Sequence, residues 1–230
     1  WRFLAAAGFL MIHLWWPVAQ RLCITTGFCF AGFLYLVPVG TLVFLARFGL
    51  RPEHRPRWLR AGSFFRGALP LIALTMAAMA VGFFLWTQIG AGRTEVFLGM
   101  MPSLSPLRMV GVSIGFALTN AFVLETLFRG ILWDILEQPL FGNSAGSGHR
   151  AGGRPRFAGT TSRRTGLVLI QAAVFGLWHW YGFAGGLYGV PFLILAGILL
   201  GIIRQKAGGL FPVYLAHIAA DLSIFALLSL

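Results

Sequence analysis

Long apolar runs separated by short polar connections make up most of this chain. A helix needs roughly 20 residues to cross the hydrocarbon core of a bilayer, which is about 30 Å thick. The runs are continuous and do not alternate polar with apolar residues, so they predict helices and not barrel strands. The pattern predicts an all-α polytopic transmembrane helix bundle of about seven spans, with six or eight also consistent, in a single domain over 1–230. The predicted spans are 3–20, 22–48, 68–90, 109–138, 166–183, 189–203 and 210–230.

Composition excludes a water-soluble domain. Hydrophobic residues make up 58% of the chain and charged residues only 10%, and the mean hydropathy is +0.81, far from the balance of soluble domains. We therefore expect an integral membrane protein that is surrounded by a lipid bilayer. The first residues enter an apolar run without a basic segment or a small-residue cleavage site, so we expect no removable signal peptide.

The net charge of +12 is concentrated in alternate connections between the predicted spans. Six arginines lie between positions 47 and 66, five lie between 150 and 164, and Arg204 and Lys206 follow the sixth span. Basic residues near span ends mark the cytoplasmic side, so these connections and the N-terminus are predicted to face the cytoplasm from a multi-pass position in the cell (inner) membrane. No aromatic motif interleaves with the arginines, so nucleic acid is not an expected partner.

Two of the basic connections have a distinct composition. Residues 143–165 are rich in Gly, Ser, Thr and Arg and poor in large apolar groups, which predicts a flexible cytoplasmic loop. Residues 51–66 contain prolines and aromatics, and we expect a short interfacial segment there that Trp58 anchors.

The sequence Gly111-Val-Ser113-Ile-Gly115 matches the GxSxG pattern of a nucleophile elbow. That motif requires a turn from a strand to a helix, whereas this stretch lies in an apolar helical run. We therefore interpret the two glycines as a small-residue packing face of the GxxxG type.

Ionisable residues at membrane depth are costly unless they are paired, so each one is a functional candidate. Few of them lie well inside the predicted spans, and the candidates are His13, Glu125, Arg129, Asp134, Glu137, His179, His217 and Asp221. Residues four apart share a helix face and lie about 6 Å apart along the axis. Glu125 is therefore expected to pair with Arg129, and His217 and Asp221 are expected to form one polar patch.

The chemistry of these groups depends on whether a bundle brings them together. Two carboxylates and two imidazoles in a water-poor cavity can activate a water molecule and stabilise the oxyanion that results, or they can bind a divalent metal. Each group taken alone also has a structural explanation, as an intrahelical ion pair, a packing histidine or an interhelical clamp.

Taken in order, the motifs resemble the signature of the CPBP family, which comprises the CAAX proteases and bacteriocin-processing proteins and is also called the ABI family. The family carries EExxxR, FxxxH and HxxxN or HxxxD on three successive transmembrane regions. This chain has Leu124-Glu125-Thr-Leu-Phe-Arg129, then Phe175-xxx-His179, then His217-xxx-Asp221. The resemblance covers about 109–221, which would be the catalytic core.

The resemblance implies an intramembrane endopeptidase of glutamic type that hydrolyses a peptide bond in a membrane-associated protein or peptide. By this resemblance, Glu125 and His179 would activate water, His217 and Asp221 would face the oxyanion, and Arg129 would support the site. No cofactor is implied. A catalytic divalent metal remains an alternative, and its ligands would be Glu125, His179 and His217.

One position departs from the family pattern, because Leu124 occupies the place of the first glutamate. Leu124 cannot take a proton, and a shift of one residue turns a side chain about 100° around a helix. Three outcomes remain open: Glu125 serves as the base in a re-angled helix, Asp221 takes over, or the protein is a non-catalytic relative such as an immunity factor or scaffold. A small transporter ranks last, since the sequence has no internal repeat.

Overall fold

A computed structural model describes residues 6–12, 14–15, 31–52, 55–89, 105–141, 161–180 and 186–228. The secondary structure within these ranges is helical, and none of the described residues forms a β-strand. His13, the first part of the second predicted span and residues 143–160 of the predicted loop lie outside the described residues.

The helices follow the apolar runs closely. The α-helices are α1 Ala31–Phe44, α2 Ala68–Ile89, α3 Pro106–Glu125, α4 Trp133–Phe141, α5 Thr161–Trp178, α6 Gly186–Ala207 and α7 Phe211–Leu228. Shorter segments are the π-helices Leu45–Gly49 and Thr126–Leu132 and a 3-10 helix at Arg57–Leu59. Residues 6–12 are also helical.

Among the described residues, three helices are long and apolar enough to cross a membrane. They are Ala68–Ile89, Pro106–Glu137 and Gly186–Ala207, the second of which joins α3, the π-turn and the start of α4. Two shorter apolar helices, Tyr35–Gly49 and Phe211–Leu227, correspond to parts of the second and seventh predicted spans. The prediction of an all-α membrane bundle is confirmed.

Helix α5 differs most from its predicted span. It begins at Thr161, within the stretch predicted as a loop, and ends at Trp178, before the predicted end of the span. Residues 161–165 are exposed or outside the description of side chains, so these polar first turns extend the helix beyond its apolar part.

Helix α6 lies at the centre of the described bundle, where it contacts α2, α5 and α7. Glycines permit its close approach to α5. A Cβ atom at Gly197 would lie 3.0 Å from the Cα atom of Ala172, and one at Gly201 would lie 3.1 Å from Val168 Cγ1. The two helices run antiparallel, so the start of α5 and the end of α6 share one end of the bundle.

Helices α3 and α7 also run antiparallel, and three side-chain pairs join them. The rings of Phe116 and Phe225 meet at 5.3 Å between centroids. Asn120 contacts Asp221, and Glu125 contacts His217. This helix pair brings the first and last motifs together although they are about 90 residues apart in the sequence.

The connection between α1 and α2 is part of the folded core. Trp58 is only 2% exposed, and a Cβ atom at Gly130 would lie 3.2 Å from its ring. The prediction that Trp58 anchors an interfacial segment is therefore wrong, because the indole packs against the π-turn inside the protein.

The same connection is joined to the turn between α6 and α7. Ser63 N–H donates to the carbonyl of Ala207 at 3.0 Å, and Phe211 N–H donates to that of Ala61 at 2.9 Å. Gly62 has φ of 85°, and a Cβ atom there would lie 2.7 Å from the Cα atom of Gly209. This close backbone contact requires glycine.

Candidate active site

Glu125 is the last residue of α3, and its carboxylate forms the centre of the polar cluster. The residue is 1% exposed. Its Oε1 atom accepts a hydrogen bond from Arg129 Nη1 at 3.0 Å and lies 2.5 Å from His217 Nδ1. A carboxylate oxygen accepts, so Nδ1 of His217 carries the proton in this contact. A buried charge requires such partners to offset its loss of hydration.

Arg129 lies in the π-turn Thr126–Leu132, all of whose residues are buried. Its Nη2 atom donates to the carbonyl of Gly197 at 3.4 Å, and its guanidinium carbon lies 4.2 Å from the centroid of the Phe175 ring. Its own carbonyl accepts a hydrogen bond from Arg204 Nε at 2.9 Å. Contacts from α5 and α6 therefore fix the arginine that holds Glu125.

His217 has a carboxylate on each side. Its Nε2 atom lies 3.7 Å from Asp221 Oδ1, while its Nδ1 atom faces Glu125. A doubly protonated ring donates from both nitrogens. Together with the charge of Arg129, it would balance the two carboxylates.

Asp221 has a second neighbour on α3. Asn120 Nδ2 donates to Asp221 Oδ2 at 3.0 Å. No sequence pattern singles out Asn120, since a single amide in an apolar run has no partner at helical spacing.

His179 lies in the turn just after α5 and not inside the helix. Its Nδ1 atom lies 2.8 Å from the carbonyl of Phe175. A carbonyl oxygen only accepts, so Nδ1–H donates, and Nε2 of the neutral ring keeps a lone pair. The Phe175 ring lies 4.7 Å from the His179 ring and 6.2 Å from the His217 ring, between centroids. Phe175 therefore connects the histidine motif to the cluster.

The structure brings the predicted site residues into one region. Glu125, Arg129, His217 and Asp221 form a continuous chain of close polar contacts, and His179 adjoins it across the Phe175 ring. The expected pairing of Glu125 with Arg129 and the expected patch of His217 with Asp221 are both present.

The two other acidic residues of the fourth predicted span come later in the chain than Glu125. Asp134 and Glu137 are on α4, beyond the π-turn. Leu124 is 7% exposed and packs in the main hydrophobic core. The position of the first motif glutamate is therefore an apolar core position in this chain.

Two fully buried side-chain atoms of the cluster, Glu125 Oε2 and Arg129 Nε, have no hydrogen-bond partner among the described residues. One carboxylate oxygen is thus fixed by two donors while the other can accept a hydrogen bond from a further group. Within the described part of the chain, no three His, Cys, Asp or Glu side chains are grouped so that they could hold a metal ion.

The GxSxG sequence forms no nucleophile elbow. Ser113 is inside α3, where its hydroxyl donates to the carbonyl of Met109 at 2.9 Å. Cβ atoms built at Gly111 and Gly115 would meet nothing within 4 Å among the described residues. The expected packing of these glycines against another helix of this chain is therefore not observed.

A family model described as Type II CAAX prenyl endopeptidase Rce1-like matches residues 106–223, just over half of the 230 residues. The chain belongs to this family. The matched region begins with α3 and ends within α7, so it includes all three motifs of the Rce1-like chain and confirms the resemblance to CAAX proteases. Neither the search of curated proteins nor that of solved structures found a match. The chain is a CAAX-protease-like membrane protein.

Proposed function

We propose that this protein is an intramembrane endopeptidase that uses an activated water molecule to hydrolyse a peptide bond in a membrane-associated protein or peptide. The observation that carries the proposal is the unequal hydrogen bonding of the two Glu125 carboxylate oxygens. Arg129 and His217 hold its Oε1 atom, while its buried Oε2 atom has no partner among the described residues. A general base needs such an oxygen within hydrogen-bond reach of water.

The hydrolysis begins at that oxygen. Glu125 Oε2 takes a proton from the water molecule, and His179 Nε2 accepts a hydrogen bond that orients the same water. The water oxygen bonds to the carbonyl carbon of the substrate as an electron pair moves onto the carbonyl oxygen. The electron pair then returns from that oxygen to re-form the carbonyl as the C–N bond breaks, and the proton held by Glu125 passes to the leaving amine.

Negative charge develops on the carbonyl oxygen during the attack. His217 Nε2 faces away from Glu125 and is available to donate to that oxyanion when it is protonated. Such a donor, fixed before the reaction begins, stabilises a transition state without reorganisation of solvent. Arg129 contributes by fixing the carboxylate of Glu125.

The π-turn supports Glu125 as the base in place of residue 124. It begins directly after Glu125, and its i to i+5 hydrogen-bond pattern changes the angle between successive side chains relative to an α-helix. π-turns inside α-helices occur frequently at functional sites. In this protein the turn follows the carboxylate and carries the arginine that binds it.

We propose that the substrate is cleaved near its C-terminus, as the name of the CAAX prenyl endopeptidase family implies. The protein would act in the cell membrane with its basic connections in the cytoplasm. A suitable probe is a fluorogenic peptide that ends in a farnesylated CAAX sequence, compared with the same peptide without the prenyl group.

The proposal is tested by hydrolysis of this probe with purified protein in detergent. We expect Glu125→Gln to lower kcat about 1,000-fold, because the amide keeps the shape of the side chain but cannot take a proton. His179→Ala and His217→Ala should also lower kcat. Hydrolysis that persists in Glu125→Gln would show that Glu125 is not the base.

A matched control is Thr119→Ala on the same helix. Among the described residues, the Thr119 hydroxyl donates to carbonyls of its own helix, at 2.9 Å to Gly115 and 3.1 Å to Phe116. We expect this variant to hydrolyse the probe at the native rate. A metal chelator added to the native protein separately tests for a catalytic metal.

A non-catalytic CAAX-protease-like protein is the second candidate, and the apolar environment of Leu124 favours it. In that case the polar cluster would stabilise the bundle, and the native chain would hydrolyse neither probe.

A further inference from the structure

Asn120 is a half-buried residue on α3, five positions before Glu125. Its amide nitrogen donates one hydrogen bond, at 3.0 Å, to Asp221 Oδ2 on α7. An amide nitrogen carries two N–H donors. The second N–H of Asn120 is not used by this bond.

Two nitrogen atoms flank the Asp221 carboxylate. Asn120 Nδ2 approaches one of its oxygens, and His217 Nε2 lies 3.7 Å from the other. The second distance is too long for a hydrogen bond, so Nε2 is available to another acceptor. An ionised Asp221 accepts but does not donate, and its charge would repel an oxyanion.

An oxyanion beside His217 therefore needs its second donor from a group other than an ionised Asp221. We propose that Asn120 is a catalytic residue that donates its second N–H to the oxyanion, and that Asp221 is a positioning residue that holds the Asn120 amide. This inference rests on the proposed function. In the HxxxN form of the family motif an amide occupies the position that Asp221 has in this chain. Here the amide would come from Asn120 on the facing helix α3.

No proton moves in this contribution. As the bond between the water oxygen and the carbonyl carbon forms, the displaced electron pair collects on the carbonyl oxygen. The N–H groups of Asn120 and His217 donate hydrogen bonds to that oxygen, and they release it when the electron pair returns to re-form the carbonyl and the C–N bond breaks.

The test measures kcat and KM of four proteins on the farnesylated CAAX probe. These are the native chain, Asn120→Ala, Asp221→Asn and the control Thr119→Ala. Loss of one oxyanion donor costs about 100-fold or more in kcat, so we expect that loss in Asn120→Ala with KM within about threefold of the native value. Asp221→Asn should keep at least about a third of kcat, because its amide oxygen still accepts from Asn120.

Exchange of the two residues separates catalysis from folding. Asn120→Asp places two carboxylates against each other and should abolish hydrolysis. The double variant Asn120→Asp with Asp221→Asn restores a carboxylate–amide pair and should recover at least about tenfold over the single variant. The thermal unfolding temperature of each variant shows whether it is folded. If Asn120→Ala does not fold, the activity of the double variant tests the role of Asn120 in its place.

The outcomes are distinct. Hydrolysis by Asn120→Ala at the rate of Thr119→Ala, or no recovery in the folded double variant, overturns the role of Asn120 and leaves the protease proposal intact. Loss of kcat in folded Asp221→Asn as large as that in Glu125→Gln also overturns it, because Asp221 would then be the working carboxylate. Absence of hydrolysis by the native chain overturns the proposed function and this inference together.

Discussion

At the scale of the residue, the two carboxylate oxygens of Glu125 have different environments, and this difference assigns them different roles in the proposed site. Oε1 accepts hydrogen bonds from Arg129, one helical turn further along, and from His217 on α7. Two contacts on one oxygen fix the orientation of the carboxylate, and Oε2 then points in a set direction. Catalytic groups depend on such fixed geometry, because a misplacement of about 1 Å can cost 100-fold in rate.

Restoration of the family glutamate next to Glu125 should not raise the hydrolysis rate. Leu124→Glu would place a carboxyl group in the hydrophobic core. We expect a loss of stability on the order of 3 kcal/mol without any rise in hydrolysis of the farnesylated probe. Thermal unfolding and the hydrolysis assay measure the two effects.

Leu124→Met is the control for this change, because a volume-conserving apolar exchange costs less than about 1.5 kcal/mol. A native chain without activity that gains hydrolysis through Leu124→Glu would favour the non-catalytic interpretation.

The sequence predicts local pairs well and long-range pairs less well. The spacing of four residues is enough to predict the contact of Glu125 with Arg129. The contact of Glu125 with His217 depends on how α3 and α7 pack, so only the family resemblance suggested it. Asn120 was missed because its partner lies 101 residues away.

At the scale of the element, the π-turn Thr126–Leu132 joins the site to its surroundings. A π-turn leaves backbone groups without their usual helical partners, so outside donors are needed. Arg204 supplies one of them, at 2.9 Å from the carbonyl of Arg129. No sequence pattern signals this turn, because it arises from a shift in backbone hydrogen bonds and not from composition.

Removal of the Arg204 donor should weaken the turn. We expect Arg204→Gln to destabilise the protein by about 2 to 3 kcal/mol, because a buried carbonyl loses a charged donor. The hydrolysis rate should fall with it, since Arg129 and Glu125 would lose their fixed orientation. Denaturant titration and the probe assay measure these losses.

Lys206→Gln provides the comparison at a nearby basic position. Lys206 is exposed and lies 5.6 Å from the Phe65 ring, so its loss should cost less than about 1 kcal/mol. Equal destabilisation by the two changes would contradict a specific role of Arg204 in the π-turn.

At the scale of the whole molecule, basic residues share one end of the bundle. The start of α5 with Arg163 and Arg164 lies beside the end of α6, since Val168 contacts Gly201. The connection around Arg60 joins the same end through its hydrogen bonds to residues 210 and 211. The described basic residues of these three connections thus lie at one end of the bundle.

The orientation of this basic end in the membrane is a prediction that labelling can test. In a background without Cys23 and Cys29, Ser162→Cys at the basic end should react with a membrane-impermeant maleimide only after cells are opened. Ser105→Cys, at the start of α3, should react in intact cells, because basic ends face the cytoplasm. The reverse pattern would contradict the predicted topology.

The contact between Gly62 and Gly209 has a consequence for how the bundle moves. Backbone hydrogen bonds on both sides of it connect residues 60–63, in the connection before α2, to the turn between α6 and α7. Relative sliding of these segments would break those bonds, and a side chain at Gly62 would meet the Gly209 backbone. We therefore expect residues 60–63 and the α6–α7 turn to move together. A conformational change that opens the proposed site to a peptide has to occur elsewhere in the bundle.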